Sequence, residues 1–120
     1  MPATLTASGL AVLSRLPAAQ LRAIYPSAAA LVQREGRGPG TLLALRSTLV
    51  EVRRRGFALE ESLVTPGLSS VGLPVLDHTG HPVAGVSVTY QTDRVDDSEQ
   101  RQLVEAVRRA ADALTRRLGG

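Results

Sequence analysis

The segment GFALEESLVTPGLSSVGLPVLDHTGHPVAGVSVTY, from Gly56 to Tyr90, decides the fold. Val71 to Leu76 and Val83 to Tyr90 are runs rich in β-branched residues, separated by Asp77-His78-Thr79-Gly80-His81-Pro82. Asp and Gly form turns, so the natural reading is an antiparallel hairpin. Phe57 to about Glu61 reads as a preceding strand, and Pro66-Gly67 marks the turn between them. Strand alternation then sorts the side chains by face. Val86, Val88 and Tyr90 point one way, and Gly85, Ser87 and Thr89 the other. In the partner strand Val71, Leu73 and Val75 share one face, with Ser70 and Gly72 opposite. One face of the hairpin is apolar and the other is small and hydroxylated. The hydroxylated face has two readings: a solvated sheet face, or the wall of a pocket whose hydroxyls hold a carboxylate or carbonyl.

Outward from the hairpin the pattern turns helical. Asp96 or Asp97 caps a helix that runs to about Leu118, with Leu103, Val107, Ala110, Leu114 and Leu118 as its expected apolar stripe. Upstream, Thr41 can cap a helix with Leu42, Leu45, Leu49 and Val52 on one face. Gly56 supplies its left-handed stop. Residues 6 to 16 form a first short helix, and Pro17 to Ile24 a second, ended by Tyr25-Pro26. Gly36-Arg37-Gly38-Pro39-Gly40 is a flexible connection; it lacks the lysine and Ser/Thr of a phosphate-binding loop. The order helices, strands, helix predicts an α+β domain with an antiparallel sheet of at least three strands flanked by helices.

Composition bounds the function. A length of 120 residues is one domain, and 43% hydrophobic content suffices for a core. The aromatics are Tyr25, Phe57 and Tyr90 alone, too few for base stacking on single-stranded nucleic acid. All 14 basic residues are Arg, yet the net charge is only +3, so the high pI reports arginine chemistry rather than a DNA surface. The run Arg53-Arg54-Arg55 reads as a solvated helix end favoured by the dipole. There is no cysteine, hence no disulfide or thiolate chemistry. No apolar run approaches the ~20 residues of a membrane span. Arg15 interrupts the N-terminal apolar stretch, against a signal peptide. The expectation is a soluble, cytoplasmic protein with no membrane partner.

Catalytic and metal signatures are weak. There is no Gly-x-Ser-x-Gly elbow, and His78 and His81 flank a turn without matching ligands for zinc. No cofactor is implied. Glu60-Glu61 is the one paired-carboxylate candidate for acid–base work. No basic recognition helix follows the first short helices, so direct DNA contact is not expected.

Three blocks together resemble the C-terminal effector-binding domain of IclR-type transcriptional regulators. Thr6-Ala7-Ser8-Gly9 with Leu16-Pro17 is similar to the family's pocket opening. Val52 to Ala58 followed by Glu60-Glu61 is similar to its helix-to-strand junction. Pro66 to Val75 with Val83 to Val88 is similar to its central hairpin. The resemblance implies a GAF-like fold and a non-catalytic module that binds a small organic acid and oligomerises. It implies that Ala7, Ser8, Glu60, Ser70, Ser87 and Thr89 line the ligand site. The last three lie on the face that alternation singles out. Leu10 stands where the family often has a basic residue. Nothing in residues 1–120 matches the family's winged helix-turn-helix, linker helix or first strands. The reading is therefore a single partial effector domain whose open sheet edge favours a homo-oligomer, with a full-length regulator as a second expected partner. The alternatives are a fragment or misassigned start of a full DNA-binding repressor, and a small enzyme using Glu60 or Glu61.

Overall fold

A computed structural model describes residues 6–24, 42–61 and 65–118. The chain is α+β. Helix α1 spans Ala7–Leu13, α2 Ala18–Ile24 and α3 Leu42–Arg55. Strands β1 (Ala58–Glu61), β2 (Leu68–Leu76) and β3 (Pro82–Gln91) follow, and α4 (Asp97–Arg117) closes the chain. The described strands form one antiparallel sheet in the order β1-β2-β3. The hairpin begins three residues earlier than the apolar run alone suggests. Leu68 pairs with Gln91 and Ser69 with Tyr90, because backbone pairing continues past the last β-branched residue. The 36–40 connection and Tyr25-Pro26 lie outside the described residues.

Local chemistry accounts for the element ends. Thr6 caps α1, its Oγ1 accepting from the Gly9 amide at 3.1 Å. Gly56 ends α3 at φ 86°, a conformation that a side chain would strain, while its amide still donates to Val52 O at 2.9 Å. Asp96 caps α4 in a reciprocal box with Glu99: the Glu99 amide donates to Asp96 Oδ1 at 2.8 Å and the Asp96 amide to Glu99 Oε1 at 3.3 Å.

The sheet separates two cores. On one face α1, α2 and α3 bury Ala7, Leu10, Ala11, Leu13, Leu21, Leu45, Leu49, Val52 and Ala58. On the other, α4 seals Val71, Leu73 and Val75 with Val104, Val107 and Ala111. Val86, Val88 and Tyr90 flank that second core half-buried. The helix stripe differs from the sequence expectation. Of Leu103, Val107, Ala110, Leu114 and Leu118, only Val107 is buried, and Leu114 and Leu118 are 43% and 50% exposed. The sheet instead takes the adjacent stripe of Val104, Val107, Ala111 and Thr115, whose smaller side chains let the helix axis sit close. Thr115 Oγ1 accepts from the Leu76 amide at 3.1 Å and fastens the end of the helix to β2.

The three arginines of the α3 terminus are more than a solvated end. The Arg53 Nε donates to Ser14 O, and its Nη2 donates to Leu16 O at 3.1 Å. Arg54 pairs with Glu51 at 2.6 Å, and the Arg55 guanidinium lies 5.2 Å over the Phe57 ring. The first of these ties α3 to the end of α1.

Asp77 organises the hairpin turn by accepting from the Thr79 amide at 2.8 Å, the Thr79 hydroxyl at 2.6 Å and the His81 amide at 3.1 Å. The Thr79 hydroxyl bond, then the Thr79 amide, holds the Asp77 carboxyl below the ordinary aspartate range. A lowered carboxyl pKa stabilises the fold above that range, and the contribution is lost as pH falls through the lowered value. Asp77→Ala is expected to speed hydrogen exchange at the Thr79 and His81 amides several-fold at neutral pH while leaving α1 and α3 unchanged. In the unaltered protein, the same two amides should lose protection first on acidification.

Candidate functional site

Register places the small polar residues in transverse rows across the sheet. Glu60 of β1 pairs with Ser70 of β2, and Ser70 with Thr89 of β3. The next row is Ala58, Gly72 and Ser87. These rows face α1, whose first turn rests on the sheet where side chains are absent. A Cβ added to Gly72 would lie 2.6 Å from the carbonyl carbon and oxygen of Ala7, and one added to Gly85 would lie 2.6 Å from Ser8 O. Both glycines are therefore required for close approach rather than for turning.

Past the seat of α1 the sheet face opens into a cavity of about 340 Å³, lined by Thr6, Ala7, Ser8, Glu60, Thr65, Leu68, Ser70, Ser87 and Thr89. The six residues named from sequence all line it. Thr6, Thr65 and Leu68 are additional. Thr6 belongs to the block likened to the family's pocket opening but is not among the six named residues, Thr65 sits before the Pro66-Gly67 turn, and Leu68 belongs to the strand extension that the apolar run did not reveal.

The lining has a definite polarity. Glu60, 3% exposed, is the only charged side chain among the described lining residues. It lies on β1, while Ser87 and Thr89 lie on β3, two strand spacings or about 10 Å across the sheet. Ser70 and Thr89 share a hydroxyl–hydroxyl bond of 2.8 Å in which either oxygen can donate. Each hydroxyl has one hydrogen and two lone pairs, so one bond leaves this pair with capacity to serve a guest. Ser69, next in sequence to Ser70, faces the opposite core, where its Oγ meets Thr92 Oγ1 at 2.6 Å. One step along the strand thus separates a structural serine from a cavity serine.

Glu61 is exposed, whereas Glu60 is buried, and adjacent strand positions face opposite sides. The two carboxyls therefore do not form a pair that could divide acid and base roles. His78 and His81 are both exposed at the hairpin turn, and His81 Nε2 lies 3.2 Å from Gln20 Oε1. Among the described residues no group of three or more His, Asp or Glu is placed to hold a metal ion, and no helix is long and apolar enough to cross a membrane.

Comparison with known proteins gives a consistent answer. A family model described as "Bacterial transcriptional regulator IclR C-terminal" matches residues 1–116. The HTH-type transcriptional regulator XynR of Escherichia coli (strain K12) is 33% identical over 122 residues, which cover 99% of this chain and 47% of XynR. The crystal structure of the Agobacterium tumefaciens repressor BlcR aligns with a TM-score of 0.89 at 27% identity, covering all of this chain and 49% of BlcR. The C-terminal domain of the E. coli transcriptional regulator KdgR shares the fold, with a TM-score of 0.88 at 23% identity, covering 99% of this chain and 72% of that domain. The chain thus spans about half the length of XynR and BlcR. With an α+β fold matched end to end and a family model matched over residues 1–116, this chain belongs to the IclR C-terminal family of bacterial transcriptional regulators.

Proposed function

We propose that the chain is a non-catalytic effector-binding module of transcriptional control, and that its ligand is a small hydroxylated organic acid. The observation that carries this reading is the cavity that gathers Ala7, Ser8, Glu60, Ser70, Ser87 and Thr89 around one space. Hydroxyls at the β3 end donate to the ligand's carboxylate. Glu60, at the other end, accepts from a ligand hydroxyl and repels a second carboxylate, so the site favours an acid bearing a hydroxyl several ångströms from its carboxyl group. The signal is a population shift: the ligand binds one arrangement of the assembled regulator better and so favours it. DNA contact would come from a full-length regulator acting as partner.

Calorimetry on Ser87→Val tests the site. Removing one hydrogen-bonding partner from a polar site costs about 1–3 kcal/mol, or roughly fivefold to 150-fold in affinity. An acid that binds the unaltered protein should lose that much. Undiminished affinity would take Ser87 out of the site.

A second reading is favoured by the shared length: a chain covering 47% of XynR fits a piece of a longer DNA-binding repressor. An in-frame helix-turn-helix in the DNA upstream of Met1 would establish it, and stop codons in that frame would refute it.

A further inference from the structure

A second cavity, of about 210 Å³, lies at the margin of the sheet beside β2 and is lined from both helical layers. It shares no lining residue with the first. The start of α1 gives Thr6, Ala7 and Ser8 to the first cavity, and its far end gives Ser14 and Arg15 to the second. The seven residues of α1 rise about 10 Å between them. The margin of β2 forms the floor. Ala58 with Gly72 is the last pair between β1 and β2, so from Leu73 onward no described strand runs on this side. Across the hairpin the Asp77 amide donates to His81 O at 2.9 Å. The Leu76 amide therefore points outward, where it donates to Thr115 Oγ1. Pro74, two residues earlier, faces the same way and has no N–H. This margin leaves an incoming strand no free donor, so the cavity suits a small guest rather than a peptide edge.

The second cavity is opposite in charge to the first. Arg15, Arg53 and Arg108 line it with Asp112 as the single acid, whereas the first has Glu60 and no base among its described lining residues. The three arginines are not equally committed. Arg53 is spent on Ser14 O and Leu16 O, where it neutralises the carbonyl end of α1. Arg15 is exposed and has no ion pair among the described residues. Arg108 is held only through its Nε, 3.3 Å from Glu105 Oε1. Its Nη2 and Nη1 lie across Gly56, 3.5 and 3.6 Å from where a Cβ would stand, and neither bonds another described residue. We propose that this cavity binds a small dianion, a phosphate monoester or a dicarboxylate, between Arg15 and Arg108. Each guanidinium offers a planar fork of donors matched to phosphate or carboxylate oxygens. Two negative charges engage both forks and outweigh the repulsion from Asp112. Arg15 follows α1 on one face of the sheet and Arg108 belongs to α4 on the other, so a guest held by both joins the two layers around the sheet margin. The proposal does not depend on the effector reading: the first cavity, with Glu60 and no base, disfavours a dianion.

Amide-resolved NMR titration of the 120-residue protein tests this with inorganic phosphate, glycerol 3-phosphate and succinate. It is run at about pH 8, where phosphates carry two charges, against sodium chloride at matched ionic strength to remove general screening. The expected result is a saturable shift of the Ser14, Arg15, Gly56, Leu76 and Thr115 amides, with Ser70, Ser87 and Thr89 unmoved. Saturation by the phosphates alone, or by succinate alone, identifies which dianion the site takes. Arg108→Gln removes a charge-assisted donor and should weaken binding roughly tenfold or more without loss of helical circular dichroism. Should that variant misfold, Arg15→Gln, at an exposed position past the end of α1, should bring the same loss. Arg101→Gln, on α4 outside this cavity, should leave the affinity unchanged. Shifts that chloride reproduces, no saturable shift with any of the three anions, saturable shifts indifferent to both Arg15→Gln and Arg108→Gln, or shifts confined to the amides of the first cavity would overturn the proposal.

Discussion

Gly72→Val is expected to unseat α1 and abolish the cavity. The position is fully enclosed between β1, β3 and the first turn of α1. Even a Cβ there would lie 2.6 Å from Ala7 C and O and 2.8 Å from Ser8 N. These are backbone atoms, so no rotamer change relieves the clash; the helix must move as a unit. Overpacking a core typically costs about 1–3 kcal/mol. A rigid backbone neighbour places this substitution at or above the top of that range. Moving α1 would also pull Ala7, Leu10 and Ala11 from the core they build with Leu45 and Ala58. Thermal unfolding should show a large fall in midpoint. At a temperature where the variant remains folded, ligand affinity should be lost with it. A variant of normal stability would mean that the first turn of α1 does not rest on the sheet at Gly72.

Leu45→Ala should have a comparable effect on stability by the opposite route. Leu45 is 0% exposed and is the largest fully buried side chain among the described residues, on the face of α3 that holds α1 against the sheet. Truncating a buried leucine removes its transfer free energy and leaves a cavity, together about 2–5 kcal/mol. Leu43, two residues earlier, is 76% exposed, so Leu43→Ala should change stability by less than about 0.5 kcal/mol. Parallel urea titrations decide it. Equal effects at the two positions would contradict the orientation of α3, whereas a large difference with an unchanged denaturant slope supports it.

The hairpin was the most legible part of the chain because its period is two and its faces differ in chemistry. Once Val71 and Val86 are assigned to one side, Ser70, Ser87 and Thr89 fall on the other without further information. The structure brings those three together with Ala7, Ser8 and Glu60. The last three were legible through resemblance rather than pattern, since nothing in the periodicity reveals that the first turn of α1 crosses Gly72 and Gly85. The helices were legible in extent but not always in orientation. In α3 a single apolar stripe made Leu45, Leu49 and Val52 unambiguous. In α4 two overlapping stripes compete, and the leucine-rich one loses to Val104, Val107 and Ala111. Hydrophobicity alone favours the leucines; the closeness of the sheet favours the smaller residues. The losing stripe stays at the surface, where Leu114 and Leu118 are 43% and 50% exposed.

Sequence also could not separate the roles of the arginines. Arg53, Arg54 and Arg55 share a charge and a neighbourhood. One binds carbonyls at the end of α1, one pairs with Glu51 and one covers Phe57. Those partners come from tertiary placement and leave no local signature.

The central claim is that the space between α1 and the hydroxylated sheet face holds the effector. Amide-resolved NMR titration with a panel of small carboxylic, hydroxy and keto acids tests it most directly. The predicted result is that at least one acid shifts a contiguous set of amides around Thr6 to Ser8, Glu60, Ser70, Ser87 and Thr89, and that Ser87→Val weakens this response. Acids that shift amides elsewhere while leaving that set unmoved, or a panel that moves none of them, would contradict it.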